Sequence, residues 1–556
     1  MGLGIRDDMT SDDWNTLTST GTIHLTAISG LHIGLIATLA FFIGRWLWAL
    51  PVFTLHWVPA SKMGAVFAMM AAVLYAALAG FSIPTQRALI MVITIMLCLL
   101  SNRAMSRFDI FLLALLSVLL ISPASVIAPG FWLSFAAVAI IFYTLGGRNR
   151  AKGIWQKSLK VHFILALGLA PFLALFFGQN PLLGPLANIV AVPFFALLIT
   201  PLILLGILSM SVFRPAGETL LKTVDYLIDA FWPFLEWIAN LPFASLTGNI
   251  TSMTVFMISL LGIVIILMPK GLPGRWLAGI FFLPVLLVQT STPMQGDFEF
   301  VLLDVGQGLA AAIRTRDHVL LYDTGAKFSA DFDTGKAVIL PYFTSIGVNS
   351  LDKVIISHGD NDHVGGFQSI IKKIPIAETL TSVPEKLNGE NIRLCEPGQS
   401  WEWDGVMFEI IHPEPDYAGK SNNRSCVLKI DNGHKSVLLT GDIEASAEAV
   451  LMKNNKGLDI DLLVAPHHGS KSSSTEAFIS SLSPDIVLFP VGYRNRFHHP
   501  AEKVISRYEK SGIKSLNTAS DGAIRFNIGR TISAPDRYRV DHGHFWNRDR
   551  AKNRVE

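Results

Sequence analysis

Between residues 31 and 290 the chain runs through about ten apolar stretches separated by short polar loops, near 31–50, 63–80, 86–100, 108–122, 130–146, 160–178, 183–210, 224–240, 252–269 and 275–290. A helix needs roughly 20 apolar residues to cross the hydrocarbon layer of a bilayer, and most of these stretches are close to that length. One such run could be a buried helix of a soluble core, but ten in succession cannot all be. The weakest is 224–240, where Asp225, Asp229 and Glu236 interrupt the pattern and an interfacial position is the alternative. Composition agrees, with charged residues only 16% of 556, against roughly 25% in a soluble domain. The formal net charge of +2 averages two unlike halves and excludes no class of partner.

Lys and Arg in the loops orient such a chain, because they favour the cytoplasmic side. Arg103 and Arg107, then Arg148, Arg150, Lys152, Lys157 and Lys160, then Arg214 and Lys222, then Lys270 and Arg275 mark alternate loops. The intervening loops near 123–129, 179–182 and 241–251 carry none. If all ten segments span, both termini lie outside the cytoplasm, and this depends on 224–240 crossing. The opening MGLGIRDDMTSDDW lacks the basic and apolar regions of a signal peptide.

Near residue 296 the composition changes. FEFVLLDVG, HVLLYDTG, KVIISHGD, SVLLTGD, DLLVAPHHG and DIVLFPVG are short β-rich runs ending in Gly, Asp or His, with helical stretches such as 444–454 and 500–511 between them. Strands that end in polar turns, with helices between, describe an α/β sandwich over 296–530. The charged residues 531–556 read as a disordered tail. The three cysteines, Cys98, Cys395 and Cys426, suggest no disulfide framework and match no zinc-knuckle spacing. Any metal must then be held by His and carboxylates.

ISHGDNDHVGG places His358, Asp360, Asp362 and His363 directly after an apolar strand, and Gly365 and Gly366 let the turn lead into a helix. Four such side chains gathered in one pocket are costly to bury without a compensating cation. LLTGD ends another strand on Asp442, suited to bridge two ions, and VAPHHGS ends a third on His467 and His468. Alone, each would be an ordinary turn residue; three such strand ends in order point to a metal site. Asp362, His363, Asp442 and one of His467 and His468 would form one site, and His358, Asp360 and Asp442 a second. Two ions could activate water and stabilise charge on a phosphoryl centre. Catalytic roles are expected of Asp362 and His468 through the metal site, of Glu444 toward substrate, and of His499 as a substrate-side acid or phosphate contact. Ser470 and Lys471 could meet phosphate. DVGQG (Asp304 to Gly308) and YDTG (Asp323 to Gly325) are read as structural support.

These motifs resemble the metallo-β-lactamase superfamily, whose first motif is H-x-H-x-D-H. Here Asp360 replaces the second His. The third-motif His is not evident, since NNRSCVLKI precedes TGD and His412 sits early for the role. The oxygen-rich donor set tilts the expected pair of divalent ions from zinc toward manganese.

Three segments of the apolar half resemble the competence domain of the ComEC family. They are GTIHLTAISGLHIGLI, with His24, Ser29, Gly30 and His32; LAGFSIPTQRALIM through APGFWLSFAAVAI, with Gly80, Gln86 and Arg87; and APFLALFFGQNPLLGPLANIVAVP, with Gly178, Asn188 and Pro193. Polar residues inside a membrane are costly and tend to face a cavity or a partner helix. His24, Ser29, His32, Gln86, Arg87 and Asn188 are therefore candidate pathway residues, and Arg87 could meet phosphates of a passing strand. The resemblance implies a bacterial inner-membrane channel for single-stranded DNA in natural transformation, with a nuclease domain outside that degrades the other strand. It implies DNA, the membrane, a DNA receptor and a cytoplasmic motor ATPase or single-strand-binding protein as partners. No GxxxxGK[ST] motif occurs, so a motor would be another protein. The resemblance also implies additional helices and an OB-fold part that have no counterpart in these residues, as expected either of a fragment or of a protein to which another chain supplies them. The alternatives are a membrane-anchored hydrolase of a lipid or cell-wall phosphodiester, and a channel whose soluble domain binds DNA without cutting it.

Overall fold

The computed structural model describes residues 9, 11–26, 30–51, 56–101, 105–145, 154–247, 250, 252–268, 273–287, 292–329, 332–414 and 420–543. The chain divides into two units, Met1–Val288 and Gln289–Glu556, close to the composition break.

The first unit is helical. Five of its described runs are long and apolar enough to cross a membrane: Gly30–Ala49, Ala60–Leu78, Ile83–Leu100, Leu159–Phe177 and Gly184–Val212. Pro129–Tyr143, Met253–Leu267 and Arg275–Val285 are shorter, and Arg107–Ile121 has 15 residues. At ~1.5 Å per residue, helices of that length fall short of a bilayer's core. The sequence expectation of about ten near-spanning segments thus resolves into five full-length ones and several shorter ones. Arg214–Ala239 is one 26-residue helix with a Pro inside. Its Glu218, Lys222, Asp225, Asp229 and Glu236 keep it outside the five.

Helices approach closely where residues are small, as is usual in lipid. On Ala60–Leu78 the buried face is Gly64, Ala65, Ala68, Ala72 and Ala76 with Tyr75. A Cβ at Gly64 would lie 2.7 Å from the Phe41 carbonyl oxygen. In Gly184–Val212, Pro193 removes a backbone donor and the helix widens into a π turn over Phe194–Ile199.

The second unit holds two mixed sheets. One has eight strands in the order Asp536–Arg537, Ile524–Ile528, Phe298–Leu302, Ala311–Arg314, Val319–Tyr322, Leu351–Ile356, Ile376–Thr381, Ile392–Leu394. The other has seven, in the order Lys514–Asn517, Ile486–Phe489, Leu462–Val464, Ser436–Leu439, Val427–Asp431, Val406–His412, Ser400–Trp403. Each sheet is antiparallel in one half and parallel in the other. Val319–Tyr322, Leu351–Ile356 and Ile376–Thr381 run parallel in the first sheet, and Ser436–Leu439, Leu462–Val464 and Ile486–Phe489 in the second.

Alternate residues of both sheets, such as Phe300, Leu320, Tyr322, Phe408, Leu428 and Leu439, form the buried layer between them. The outer face of the first sheet packs on Ile339, Phe343, Phe367 and Ile370, and that of the second on Ala447, Leu451, Phe478, Val504 and Tyr508. Helix, sheet, sheet, helix is the αββα sandwich expected for this part of the chain.

Two expectations need correction. The charged C-terminal region is ordered well beyond 531. Asp536–Arg537 adds a strand beside Ile524 and Arg525, Tyr538–Asp541 is a helical turn, and Arg539 pairs with Asp304 and donates to the Thr518 carbonyl at 3.1 Å. These charges are neutralised by carboxylates and carbonyls folded far away in sequence, which composition alone does not show. Residues 544–556 lie outside the described residues.

Cys395 and Cys426 are joined by a disulfide across 31 residues. Cys395 follows the strand Ile392–Leu394 and Cys426 precedes Val427–Asp431, so the bridge ties one sheet to the other inside the core. Linear spacing gave no sign of it because the pairing depends on which strands face each other. Closing a loop of this length is worth on the order of 3–4 kcal/mol. The double variant Cys395→Ala, Cys426→Ala of the full chain should lose about that much in denaturant unfolding. Reductant should shift the parent's midpoint and leave the variant's unchanged.

Candidate metal centre

The parallel strands of both sheets end at one edge, where ligand sites of α/β proteins collect. Leu351–Ile356 delivers Ser357 and His358, and the short helix Asn361–Val364 carries Asp362 and His363. Ser436–Leu439 leads to Asp442, Leu462–Val464 to His467 and His468, and Ile486–Phe489 to His499. In the tight turn at Gly441, φ is +56° and a Cβ would meet Ser425 Cβ at 2.7 Å, so this position demands glycine.

His363, His468 and Asp442 are buried. His363 Nε2 lies 3.2 Å from His468 Nε2 and 3.1 Å from Asp442 Oδ1. His468 Nε2 is 3.4 Å from Asp362 Oδ2 and 3.5 Å from Asp442 Oδ1. His467 Nε2 stands 3.7 Å from Asp442 Oδ2, and its Nδ1 3.7 Å from Glu444 Oε1. His358 Nε2 is 3.6 Å from Asp360 Oδ2.

Two groups bring ligand atoms within coordinating reach, His358 with His363 and Asp442, and Asp362 with His363 and His468. His468 rather than His467 joins Asp362 and His363, because its Nδ1 is held 2.8 Å from the Pro490 carbonyl, which leaves Nε2 facing the site. Asp360 is half-exposed at the rim, and Glu444 immediately precedes the helix Ala445–Asn454, outside both groups.

The donor set fits divalent ions. His358 Nε2 and Asp442 Oδ1 are buried without a hydrogen-bond partner, an arrangement that costs free energy unless a cation takes them up. Burial opposes ionisation of Asp442, yet His363 and His468 hold its carboxyl well below the usual range. Burial likewise opposes ionisation of Asp362, but His468 and His363 bring its pKa down to about 2. Burial would depress His363, but Asp442 and Asp323 hold its pKa well above the usual 6.5. Without metal, the site therefore balances its carboxylates with protonated imidazole.

The sequence reading missed Asp323. Sequence alone makes its YDTG turn structural support, but the buried Asp323 carboxylate lies 2.7 Å from His363 Nδ1 and accepts from Ser357 N and Oγ at 2.7 Å each. It orients the ring from behind, as carboxylates do for metal-binding histidines. DVGQG has a supporting place: Gly308 packs on motif 1, where a Cβ would meet the Asp362 carbonyl oxygen at 2.5 Å.

Among the described residues, no third-motif histidine joins either group of ligands. Ser425 Oγ accepts from Asp442 N at 3.1 Å and lies 3.4 Å from His358 Nδ1, while Asn422 Nδ2 is 3.5 Å from His467 Nε2. His412 Nε2 bonds instead to the Asn423 carbonyl at 2.8 Å. The His499 ring is 6.0 Å from that of His467. Burial, then His468 and His467, lower its pKa to about 4.

In the helical unit, His24 Nδ1 lies 3.0 Å from the Gly21 carbonyl, to which Asn188 Nδ2 also donates at 3.3 Å. The first and third competence-like segments therefore meet at Gly21. His24 is exposed. Arg87 is buried with Nε unpartnered and its guanidinium against Gly130. Its helix packs on that of His32 where Gly30 meets Ala88. Gln86 stands apart, exposed and donating to the Phe81 carbonyl at 2.6 Å. Ser29 lies outside the described residues.

Comparison with known proteins agrees with both halves. Residues 1–273 match the competence protein family model and residues 303–492 the metallo-β-lactamase superfamily model. Competence protein ComA of Neisseria gonorrhoeae is 34% identical over 95% of this chain and 74% of its own length. Recombination protein 2 of Haemophilus influenzae is 32% identical over 95% of this chain and 71% of its own. Among solved structures, the metallo-β-lactamase-fold protein YhfI of Bacillus subtilis aligns with 42% of this chain and all of its own, at 14% identity and a TM-score of 0.29. With one sandwich closed around an Asp- and His-lined edge, a polytopic helical unit before it, and this identity along nearly its whole length, the chain belongs to the ComA/ComEC-type family of competence membrane proteins.

Proposed function

We propose that the chain is an inner-membrane channel for single-stranded DNA in natural transformation, and that its metallo-β-lactamase domain is a metal-dependent phosphodiesterase that degrades the strand not transported. The observation that carries this reading is one chain holding both a metal-type site of buried His and Asp and a membrane unit with Arg87 buried between helices. A mere anchor has no use for a buried guanidinium, so a hydrolase of lipid or cell-wall esters that is only anchored by these helices is the weaker reading. His24, His32, Arg87 and Asn188 are the polar surface proposed to line the path.

Divalent ions, manganese or zinc, held by His358, Asp360, Asp362, His363, Asp442 and His468 with His467 at the rim, would supply Lewis-acid charge at the phosphoryl group. The protein's own part is geometric. Asp323 and the Pro490 carbonyl fix the His363 and His468 rings. His499, neutral at pH 7, offers substrate an uncharged imidazole, and Glu444 stands beside His467.

The domain is proposed to lie outside the cytoplasm. The core disulfide suits an oxidising compartment, and the alternation of basic loops supports the same side where Arg214–Ala239 crosses the membrane. The partners proposed are DNA, a DNA receptor and a cytoplasmic motor ATPase or single-strand-binding protein.

Purified full-length protein with Mn²⁺ or Zn²⁺ should cut DNA. Activity on small phosphodiesters alone would favour the anchored hydrolase, and none on either would favour a DNA-binding module. In cells, Arg87→Ala or His32→Ala should reduce uptake of labelled DNA at least about ten-fold while the purified variant still cuts. Unchanged uptake would remove these residues from the path.

A further inference from the structure

The loop Gly492–His499, which leaves the strand Ile486–Phe489 at the metal-site edge, has no role in holding ions, and its chemistry is unlike that of the rest of the rim. It reads GYRNRFHH, and no acidic residue occurs from Val491 to Ala501. Tyr493, Arg494, Arg496, Phe497 and His498 are all exposed, Phe497 by 49%. The guanidinium of Arg496 lies 4.7 Å over the Phe497 ring and that of Arg494 5.4 Å over Tyr493.

This exposure is built in. Asn495 laces the loop from inside, with Nδ2 donating to the carbonyls of Gly492 at 3.1 Å and His499 at 2.7 Å, and Oδ1 accepting from His499 N at 2.9 Å. Gly492 N donates to Gln307 Oε1 at 3.3 Å, which fastens the loop to the DVGQG turn. Arg494 and His498 are held at φ of 49° and 55°, a left-handed backbone that costs free energy for residues with side chains. The loop thus holds strained backbone with its aromatic and cationic side chains facing solvent. The Phe497 ring stacks on His499 at 5.8 Å and 15°, and His499 in turn neighbours His467. An exposed aromatic ring is therefore placed one side chain away from the metal-site histidines.

Guanidinium groups interleaved with exposed rings suit a polyanion whose units carry flat π faces, which is an unpaired nucleic-acid strand. In a duplex those faces are already stacked, and a lipid or cell-wall phosphodiester has none to offer. We infer that Gly492–His499 is the substrate grip of the phosphodiesterase site, in which Phe497 stacks a base beside the phosphate being cleaved and Arg494 and Arg496 hold neighbouring phosphates of a single DNA strand. This rests on the phosphodiesterase reading proposed above and goes further, naming the strand state and the residues that recognise it. Such a site favours ends and unpaired stretches of DNA over intact duplex.

The test uses the full-length protein in detergent or nanodiscs. Binding of fluorescein-labelled oligodeoxythymidylate is read by anisotropy without turnover, and cleavage of the same oligonucleotide is compared with hydrolysis of glycerophosphoglycerol, a small phosphodiester with no ring to stack. Phe497→Ala is expected to weaken oligonucleotide binding about ten-fold, and Phe497→Trp to restore it. The same Ala variant should lose about ten-fold more activity on the oligonucleotide than on the small ester. Arg496→Gln should lower the salt slope of binding by about 0.7, the value for one phosphate contact on a single strand. Parental binding by Phe497→Ala, or equal losses on both substrates, would overturn the assignment. A parent that binds the oligonucleotide through Phe497 yet cuts neither substrate would instead overturn the phosphodiesterase reading and leave the grip standing.

Discussion

Asp442→Ala is expected to lower metal-dependent DNA cleavage at least about 100-fold and to remove most bound metal from the purified protein. Three histidines converge on this carboxylate, His363 at 3.1 Å, His468 at 3.5 Å and His467 at 3.7 Å. It belongs to the group around His358, and its Oδ1 lies 3.5 Å from His468 Nε2 of the other group, with His363 common to both. The charge matters more than the shape. Asp442→Asn keeps the volume and should be nearly as inactive, because a neutral amide compensates neither the ions nor protonated His363. Metal content read by atomic emission, beside cleavage of a labelled duplex with a single-stranded tail, checks both. Cleavage within ten-fold of the parent in either variant would mean the metals sit elsewhere.

Asp323→Asn should cost 10- to 100-fold in metal affinity although Asp323 touches no ion, because it loosens the ring that does. The variant keeps an acceptor for Ser357 N but loses the negative charge 2.7 Å from His363 Nδ1. Breaking a buried pair of this kind typically costs about 3–5 kcal/mol. The sign with pH follows from His363, whose pKa is raised well above 6.5. A raised histidine stabilises the metal-free fold fully below its unfolded value, and the stabilisation is lost as pH rises through the folded value. Metal must displace that proton, so affinity in the parent should climb about ten-fold per pH unit from pH 6.5 up to the raised value. In Asp323→Asn the proton is held less tightly, and the climb should level off at lower pH. Calorimetric titration with Mn²⁺ from pH 6 to 9 reads both the affinity and its slope. An unchanged affinity and slope would reduce Asp323 to the supporting role its sequence suggested.

Much of the chain was legible before folding, for particular reasons. Spans such as Gly30–Ala49 and Ile83–Leu100 are long and mostly apolar, and length and hydropathy together identify them. Arg107–Ile121 and Met253–Leu267 are as apolar but only 15 residues each, so it is apolarity rather than length that places them among the near-spanning stretches. The ligand residues were visible because each ends a strand of apolar residues, and a strand's end places its next side chains at the sheet edge. The disulfide and the folded part of the C-terminal region were not visible, since Cys395 meets Cys426 only across two facing sheets, and Arg539 meets Asp304 across most of the domain.

The sequence by itself determined the two-part organisation, the order of the metal-type motifs and the loss of two of the superfamily's imidazoles, because hydrophobic period and residue type are local properties of the chain. Only the tertiary structure decided that His468 rather than His467 joins Asp362 and His363, that Asp323 stands behind His363, and that Phe497 stands one side chain from the metal-site histidines. Those are distances between residues far apart in sequence, set by how the two sheets pack and twist, and no local pattern encodes them.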